Sequence, residues 1–488
     1  MRGIVAAGHP VSAEAGAAVL REGGNAVDAA VAACLASWVA EPLLTGPGAG
    51  GYMLVAGGGE EPAVLDFFVA APSDGDRAPL RPVEVSFGDA VQVFHVGGSS
   101  VGAYGTPAGL EEAARRWGSL PLADLAAPAA ELARSGVPLN AQQAYVFELL
   151  ENILLSTREA AALFAPEGRI LREGETFRSP ELAETIERFG ADGARPFYEG
   201  DLAGAAVECV ERAGGTLTKR DLAAYEAVVR DPARIRYRGR EVLTNPPPSA
   251  GGVLLALALA RLDATPGPPT AADLVAVMDV AQRARTEEFD AGLAEPGFLD
   301  RFLSAQLGST THITVVDGDG RACSVTCTNG EGSGLVVPGT GIHLNNVMGE
   351  EDLNPLGFFT APPGRRMPSM MAPTVVLAPE GDEVVLALGS AGSNRIRSAI
   401  LQTIVAVVDR GMEAEAAVCA PRLHYEAGVV YAEPGVELAG LDPGLRTQPF
   451  RALNLFFGGV QAVERDPATG RLTGAGDPRR GGAAVAVA

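Results

Sequence analysis

Two threonines in the second half of the chain are the first candidates for chemistry. Thr310 and Thr328 bracket a run of β-forming residues that turns at Asp-Gly-Asp-Gly, residues 317–320, and this pattern is typical of a β-hairpin. A three-residue loop with glycine in the left-handed position would set the two threonines opposite each other, whereas a two-residue loop would face them apart. Composition alone favours ordinary strand threonines, because threonine suits a pleated, half-buried surface.

Two segments elsewhere in the chain match familiar functional motifs, but the elements around them do not suit those functions. The glycine run 46–51 matches a dinucleotide-binding pattern, but it follows a predicted helix, and Pro47 lacks a backbone donor that a phosphate would need. Residues 98–102 match the Gly-x-Ser-x-Gly elbow of serine hydrolases. The helix that such an elbow requires begins only at Pro107, so neither motif predicts a cofactor or a catalytic serine.

The histidines and cysteines form no pattern of metal ligands or disulfides. The five histidines show no paired spacing with one another or with carboxylates, and each is interpreted as a polar or core residue. The five cysteines include no Cys-x-x-Cys pair, and Cys323 and Cys327 would lie about 13 Å apart along a strand, too far to bridge. The sequence therefore predicts reduced thiols, no metal and no organic cofactor.

Charge and hydropathy argue against two classes of partner. The 488 residues carry 60 acidic against 38 basic side chains, a formal net charge of −22, and no basic run could follow a phosphate backbone. The longest apolar region, 26–44, contains Asp28 and Glu41 and is interrupted by Pro42, so it predicts a buried helix. We expect no nucleic-acid and no membrane partner. The apolar stretch 4–8 is too short for a secretory signal, which makes a cytoplasmic location the expectation.

The elements that must position these residues are a mixture of helices and short strands. Helical spacing over 12–22 ends at two glycines, Asn25 suits the cap of a second helix, and Thr106 opens a third that ends at Gly118. Further helices are predicted over 252–261 and 271–289, and strands over 91–96, 235–242, 311–316, 322–328, 384–388, 429–432, 460–463 and 483–488. With 47% hydrophobic residues, these elements predict one compact α/β body with stacked antiparallel sheets.

Ordered motifs along nearly the whole chain resemble those of the γ-glutamyltranspeptidase family. In chain order they are Gly8-His9-Pro10, Gly23-Gly24-Asn25-Ala26-Val27-Asp28, Glu41-Pro42, the run 46–51, Gly105-Thr106-Pro107-Ala108-Gly109, the run 245–252, Thr310-Thr311-His312, Pro338-Gly339-Thr340-Gly341, Leu344-Asn345-Asn346, Pro373-Thr374 and Asp477-Pro478-Arg479. So many matches in one order exclude a chance resemblance.

The resemblance implies an N-terminal-nucleophile fold, an αββα sandwich of two stacked, mainly antiparallel sheets flanked by helices. It also implies a precursor that cuts itself between Ser309 and Thr310. The products would be a large subunit, residues 1–309, and a small subunit, residues 310–488, which stay in one compact body and could assemble as a heterotetramer. Thr310 would be the nucleophile, and its freed α-amine, with a pKa of about 8 in model peptides, would be the base.

Three further positions match the family's catalytic apparatus. Thr328 corresponds to a residue beside the nucleophile and would orient or hydrogen-bond it. Gly392 corresponds to one of two consecutive glycines whose backbone N–H groups form the oxyanion hole, and Ser393 replaces the second. Backbone donors survive that replacement if the turn tolerates a side chain.

The first departure from the family pattern concerns the substrate α-carboxylate. Phe68 stands where the family has an arginine for this group, so a cation able to make paired hydrogen bonds has become an apolar ring. The serine pair that also holds the carboxylate reads Ser369-Met370, and one hydroxyl is gone.

The second departure concerns the substrate α-ammonium. Val347 replaces a glutamine, Glu350 replaces an aspartate, and the loop after Thr328 is shortened so that only Asn329 remains as a candidate. A site that recognises its substrate through buried polar groups discriminates strongly by them, so their loss predicts weak γ-glutamyl recognition.

Together these features predict a self-processing enzyme, a hydrolase or acyltransferase that forms an acyl-enzyme with a small-molecule, non-γ-glutamyl substrate in intracellular or secondary metabolism. Amide hydrolysis and carbon–carbon bond hydrolysis, as in alkylproline antibiotic pathways, both stay open. Two alternatives also remain: a true γ-glutamyl hydrolase or transferase acting on glutathione-like substrates, and an uncleaved, non-catalytic binding protein on the same fold.

Overall fold

The computed structural model describes residues 1–86, 91–284, 293 and 311–488 of the chain. Ser309 and Thr310 lie outside these residues, as does the end of the helix predicted over 271–289. All statements of structure below concern the described residues.

The helices are concentrated in the first 283 residues. They are α1 Pro10–Arg21, α2 Ala26–Ala40, α3 Thr106–Trp117, α4 Leu122–Ser135, α5 Ala141–Leu149, α6 Glu151–Leu154, α7 Arg158–Phe164, α8 Pro180–Asp192, α9 Arg195–Tyr198, α10 Asp201–Arg212, α11 Lys219–Ala223, α12 Ala250–Asp263, α13 Ala271–Arg283, α14 Arg395–Val408 and α15 Ala414–Cys419. The predicted helices over 12–22, 252–261 and the described part of 271–289 are confirmed, with ends shifted by at most two residues.

The strands come from both halves of the chain. They are β1 Gly3–Ala7, β2 Gly50–Gly57, β3 Glu60–Phe67, β4 Arg81–Ser86, β5 Val91–Val96, β6 Val137–Pro138, β7 Thr176–Phe177, β8 Val228–Arg230, β9 Ala233–Tyr237, β10 Arg240–Thr244, β11 Thr311–Asp317, β12 Ala322–Thr328, β13 Val336–Val337, β14 Ile342–His343, β15 Thr374–Leu377, β16 Val384–Ala391, β17 Leu423–Glu426, β18 Val429–Ala432, β19 Arg446–Pro449, β20 Gly459–Arg465, β21 Leu472–Gly476 and β22 Ala483–Val487.

Two antiparallel sheets form the centre of the molecule. The larger has the order β22-β1-β11-β12-β2-β3-β8 and the smaller the order β21-β20-β16-β15-β10-β9. Each pairing within both sheets is antiparallel. The hairpin of β11 and β12 lies in the middle of the larger sheet, between strands from the N-terminal part of the chain.

Apolar side chains hold the sheets and helices in four layers. Leu54 and Val316 of the larger sheet meet Val375 and Leu377 of the smaller sheet in one buried cluster. Helices α1 and α2 bury the other face of the larger sheet, and α12 and α14 cover the smaller sheet. The predicted αββα sandwich is therefore confirmed.

Helix α2 shows why the sequence produces this layering. All its residues are buried, and an apolar surface on every side is typical of a helix enclosed by protein. Asn25 accepts hydrogen bonds from the Val27 and Asp28 N–H groups, and Asp28 accepts one from the Asn25 N–H. This reciprocal cap fixes the start of α2 where the sequence predicts it.

The serines of the Gly-x-Ser-x-Gly match have structural partners. Ser99 Oγ donates to the Ala78 carbonyl at 2.6 Å, and Ser100 Oγ donates to the Gly97 carbonyl at 2.7 Å. A short 3-10 turn, not an α-helix, holds both serines. Within the described residues, no helix is long and apolar enough to cross a membrane, and no group of three or more His, Cys, Asp or Glu residues is arranged to hold a metal ion.

Candidate active site

The hairpin of β11 and β12 has the register that the sequence left conditional. Thr311 pairs with Cys327, and the Asp317 N–H donates to the Arg321 carbonyl, so three residues form the loop. Gly320 adopts φ +83°, the left-handed conformation that such a loop requires of its glycine. The next pair in this register would be 310 with 328. Thr310 lies outside the described residues, so its contact with Thr328 stays a prediction.

Thr328 ends β12 at the wall of a cavity. Its side chain is buried, and its Oγ1 accepts a hydrogen bond from the Gly330 N–H at 2.7 Å. Because this bond uses the oxygen as an acceptor, the hydroxyl hydrogen can still be donated to another group.

Gly392 and Ser393 form the turn between β16 and α14. Gly392 has φ +117° and Ser393 has φ +56°, so the serine keeps a conformation that a glycine would adopt. A Cβ on Gly392 would lie 2.7 Å from Gly458 Cα, which excludes a side chain there. Ser393 Oγ instead donates to Asp352 Oδ2 at 3.0 Å. The turn thus tolerates a side chain at the second position, which was the condition for an oxyanion hole.

One cavity is lined by both Thr328 and Gly392, between the ends of β12 and β16. Its other walls are mostly apolar and are formed by Leu44, Val85, Phe94, Val146, Leu149, Leu150, Gly330 and Leu455. Three charged side chains also line it, those of Glu331, Arg395 and Arg480. The N-terminus of α14 lies beside Gly392, and its partial positive charge favours an anion there. A developing oxyanion next to Gly392 would therefore be stabilised.

Sequence reasoning missed the three charged residues of this cavity. Glu331 is partly buried, and burial raises its pKa to about 7. Burial lowers the pKa of Arg480 to about 10 and also lowers the pKa of Arg395. Arg480 directly follows the matched Asp477-Pro478-Arg479, whereas Glu331 and Arg395 lie two residues after Asn329 and Ser393; this proximity was the signal in the sequence.

The positions predicted for the α-carboxylate do not line this cavity. The Phe68 side chain is 0% exposed and stacks on Tyr52 in the cluster between the two sheets, at 5.8 Å between ring centroids. Met370 belongs to the core beneath α12. Ser369 Oγ accepts from the Met371 N–H at 3.0 Å. All three positions thus have structural contacts in the described part of the chain.

The positions predicted for the α-ammonium do not line the cavity either. Val347 packs between the sheets, whereas the Asn329 amide donates to the His343 carbonyl at 3.2 Å. Glu350 is buried behind Gly330, where an added Cβ would lie 2.4 Å from Glu350 Oε1. Burial, followed by the neighbouring charge of Glu331, raises the Glu350 pKa well above its usual range. Burial and the neighbouring Glu331 thus both favour the protonated form of this acid behind the cavity wall.

Arg366, a charged residue near the matched serine position, is held away from the cavity. It forms an ion pair with Asp66 at 3.2 Å, donates to the Phe68 carbonyl and covers the Tyr225 ring at 4.6 Å. These contacts anchor the end of β3 and leave Arg366 with a structural role.

Glu41 is a buried acid next to the start of β11. Its Oε1 accepts a hydrogen bond from Thr311 Oγ1 at 3.0 Å, and its Oε2 has no hydrogen-bond partner among the residues that the structure describes. Burial raises the pKa of Glu41 to about 7 in spite of the opposing effects of Thr311 and Arg480. The neighbouring His312 bonds to Thr326 and Thr314.

Comparisons with known proteins extend over nearly the whole chain. A family model described as Gamma-glutamyltranspeptidase matches residues 12–290 and 295–487. The glutathione hydrolase proenzyme of Bacillus subtilis (strain 168) is 30% identical over 551 residues, covering 99% of this chain and 91% of that protein. The acylase ACY 1 proenzyme of Pseudomonas sp. (strain SE83) is 30% identical over 528 residues, covering 100% and 94%.

A solved structure agrees with the sequence comparisons. The crystal structure of cephalosporin acylase from Bacillus halodurans superimposes with a TM-score of 0.83 at 27% identity and covers 100% of this chain and 96% of that one. The chain is thus similar along its length to proteins named as glutathione hydrolases and to proteins named as acylases.

Proposed function

The chain belongs to the γ-glutamyltranspeptidase family, and we propose that it is a self-processing amide hydrolase whose acyl group is not γ-glutamyl. The observation that carries the proposal is the cavity shared by Thr328 and Gly392, at the end of a hairpin whose register leads toward Thr310. The predicted α-carboxylate positions pack elsewhere, as Phe68 does between the sheets.

Self-processing would begin with the Thr310 hydroxyl. Its oxygen attacks the Ser309 carbonyl carbon, the peptide C–N bond breaks, and the proton lost by the hydroxyl passes to the leaving nitrogen. Water then hydrolyses the resulting ester and leaves Thr310 with a free hydroxyl and a free α-amine. The products would be the subunits 1–309 and 310–488, as the word proenzyme in the names of the relatives supports.

Substrate turnover would use the same hydroxyl. The α-amine takes the hydroxyl proton while the oxygen attacks the substrate carbonyl, and the amine of the substrate leaves with that proton. The backbone N–H groups of Gly392 and Ser393 would stabilise the oxyanion. Water then releases the acyl group from Thr310. Thr328 would hold the nucleophile by donating its hydroxyl hydrogen.

Steady-state kinetics test the substrate part of the proposal. We expect the specificity constant for γ-glutamyl-p-nitroanilide to fall about three orders of magnitude below that of a good substrate, because two or three charge-assisted hydrogen bonds are lost. Other acyl p-nitroanilides serve as the comparison. A specificity constant of about 10⁴ M⁻¹s⁻¹ or higher for γ-glutamyl-p-nitroanilide would contradict the proposal and indicate a hydrolase of glutathione-like substrates.

A further inference from the structure

The turn between β16 and α14 is held by hydrogen bonds from two of its own side chains. Ser393 Oγ donates to Asp352 Oδ2 at 3.0 Å, and the next residue, Asn394, donates its side-chain amide to Glu426 Oε1. Both acceptors come from other segments, since Asp352 lies in the 3-10 turn Glu351–Leu353 and Glu426 ends β17. Two carboxylates thus bind consecutive residues of the turn that would supply the oxyanion donors.

Asn394 occupies a position at which its side chain would ordinarily cap a helix. It directly precedes α14, and asparagine at such a position usually accepts a hydrogen bond from one of the first N–H groups of the helix. Here the side chain makes no such bond, and its Oδ1 is buried with no hydrogen-bond partner in the described part of the chain. The bond to Glu426 therefore sets the orientation of this amide in place of the cap.

Glu426 is an ionised acceptor for that bond. Burial raises its pKa, but the neighbouring His424 and the charges of Arg395 and Arg397 lower it by more, to about 2. The other carboxylate oxygen, Oε2, lies 3.5 Å from His424 Nε2. Because a hydrogen bond to an ionised acceptor is roughly twice as strong as one between neutral groups, the bond from Asn394 stabilises the turn more than a neutral cap would.

The backbone of the turn requires such support. Ser393 has φ +56°, a left-handed conformation that is strained for a residue with a side chain. An oxyanion hole works only while its N–H groups keep their direction toward the developing charge. The bonds to Asp352 and Glu426 hold residues 393 and 394 independently, so the loss of one bond leaves the other in place.

We propose that Asp352 and Glu426 are positioning residues of the oxyanion turn, which act through Ser393 and Asn394. The proposal deepens the proposed function and depends on it for the reaction that the turn serves. Neither acid is among the residues that line the cavity, so both act on the direction of the backbone N–H groups and not on the substrate.

The kinetic test removes the two bonds singly and together in the processed protein. With the best acyl p-nitroanilide, we expect kcat to fall by about fivefold in Asp352→Ala and in Asn394→Ala, because one bond remains in each. In the double variant it should fall by about 100-fold, more than the two single effects combined, which approaches the loss of one oxyanion-hole donor. KM should change little, since neither acid lines the cavity.

Reversal of the bond between Asn394 and Glu426 separates positioning from a merely structural role. Asn394→Asp alone places two carboxylates together, and their repulsion should lower kcat by about tenfold or more. When Asn394→Asp is combined with Glu426→Gln, an amide again faces a carboxylate, and most of the lost kcat should return. Glu380→Gln, at an exposed acid, is the matched control and should leave kcat unchanged.

Two kinetic results would overturn the proposal. One is a double variant, Asp352→Ala with Asn394→Ala, that keeps the kcat of the wild type. The other is a reversed pair, Asn394→Asp with Glu426→Gln, that recovers none of the activity lost in Asn394→Asp.

Amide hydrogen exchange measures the hold on the turn without any turnover. The Arg395 and Ile396 N–H groups donate to carbonyls of the turn, so peptides that cover 390–396 should exchange faster in Asn394→Ala than in wild type, and Glu380→Gln should match wild type. If no anilide is hydrolysed but this difference is found, the hold on the turn is upheld and the proposed hydrolysis fails. Unchanged exchange in Asn394→Ala and in its combination with Asp352→Ala would refute the proposal.

Discussion

At the scale of single residues, Glu41 is the clearest case of a side chain whose chemistry depends on its surroundings. It follows α2 and accepts a hydrogen bond from the Thr311 hydroxyl. A Cβ added to Gly8 would lie 2.4 Å from the Glu41 Oε1. The groups that face it are Ser12, Cys34, Thr311 and Arg480. Only the Arg480 guanidinium among them is charged at neutral pH. It lowers the pKa of Glu41, but burial raises this pKa by more.

This burial predicts a pH dependence of stability. The pKa of Glu41 rises from 4.5 to about 7 on folding, so the folded protein keeps a proton that the unfolded chain releases between these values. The stabilisation is complete below pH 4.5 and is lost as the pH rises through 7. Glu41→Gln cannot lose a proton, so between pH 5 and pH 8 its unfolding free energy relative to wild type should increase by roughly 2 to 3 kcal/mol.

Thermal unfolding at the two pH values measures this difference. Glu14→Gln, at an exposed position, is the control and should follow the wild type at both. If the unfolding free energies of Glu41→Gln and wild type change equally between pH 5 and pH 8, Glu41 is not the titrating group.

The site residues divide by what a sequence can show. Thr328 and Gly392 could be predicted because they lie in motifs with a fixed order. Glu331 and Arg480 could not, because they meet only when the ends of β12 and the C-terminal strands converge, 149 positions apart in the chain. That Phe68 replaces an arginine of the family stays a prediction, and its burial between the sheets depends on packing that no local pattern describes.

At the scale of elements, the turn between β16 and α14 carries a testable constraint. Ser393 has φ +56°, and left-handed backbone is strained for β-branched side chains. Ser393→Gly should keep turnover within a few-fold of wild type, since both backbone donors remain. Ser393→Val should lower stability by about 1 to 2 kcal/mol and reduce kcat more than KM, because the turn must rearrange.

The matched control variant changes a serine of the helix that follows the turn. Ser398→Val, on α14 away from the turn, controls for β-branching in the helix and should spare kcat. Full activity in Ser393→Val would refute the role of this turn in catalysis.

The elements themselves were largely predictable where local signals agree. The cap at Asn25 and the glycine turn at 318–320 fixed α2 and the hairpin of β11 and β12. The strand predicted over 384–388 extends to Ala391, because its pairing with β20 continues to Gly459. Gly389 weakens the strand pattern in the sequence, whereas the hydrogen bonds to β20 continue the strand past this glycine.

At the scale of the whole molecule, the position predicted to replace the family's carboxylate-binding arginine belongs to the core between the sheets. Phe68 is 0% exposed and stacks on Tyr52, close to the ion pair of Asp66 with Arg366. Phe68→Arg would introduce the residue type that the resemblance implies for this position, but it buries a further cation and removes an aromatic ring. We expect a loss of several kcal/mol in stability and no gain of γ-glutamyl turnover.

The control for this change is Phe68→Leu, which keeps an apolar side chain and should cost less. Melting temperatures and γ-glutamyl-p-nitroanilide kinetics of both variants measure the outcome. A stable Phe68→Arg protein with raised γ-glutamyl activity would show that the position still belongs to a substrate pocket.

The stacked sheets could be predicted as a class, because alternating strands and buried helices specify layers. Their strand order could not, since β1, β2 and β3 of the first 67 residues enclose the hairpin of β11 and β12. That order places β11 and β12 at the centre of the larger sheet, next to Glu41 and the cavity. Self-cleavage there would leave both products held in the same sheet.

The most direct test of self-processing is the intact mass of the purified protein under denaturing conditions. We predict two polypeptides for the wild type, residues 1–309 and 310–488, and one full-length polypeptide for Thr310→Ala. Thr311→Ala is the neighbouring control and should still be cleaved at the same bond, because it leaves the Thr310 hydroxyl in place. A wild-type protein that stays at full length while hydrolysing its substrate would contradict the assignment of Thr310 as an N-terminal nucleophile.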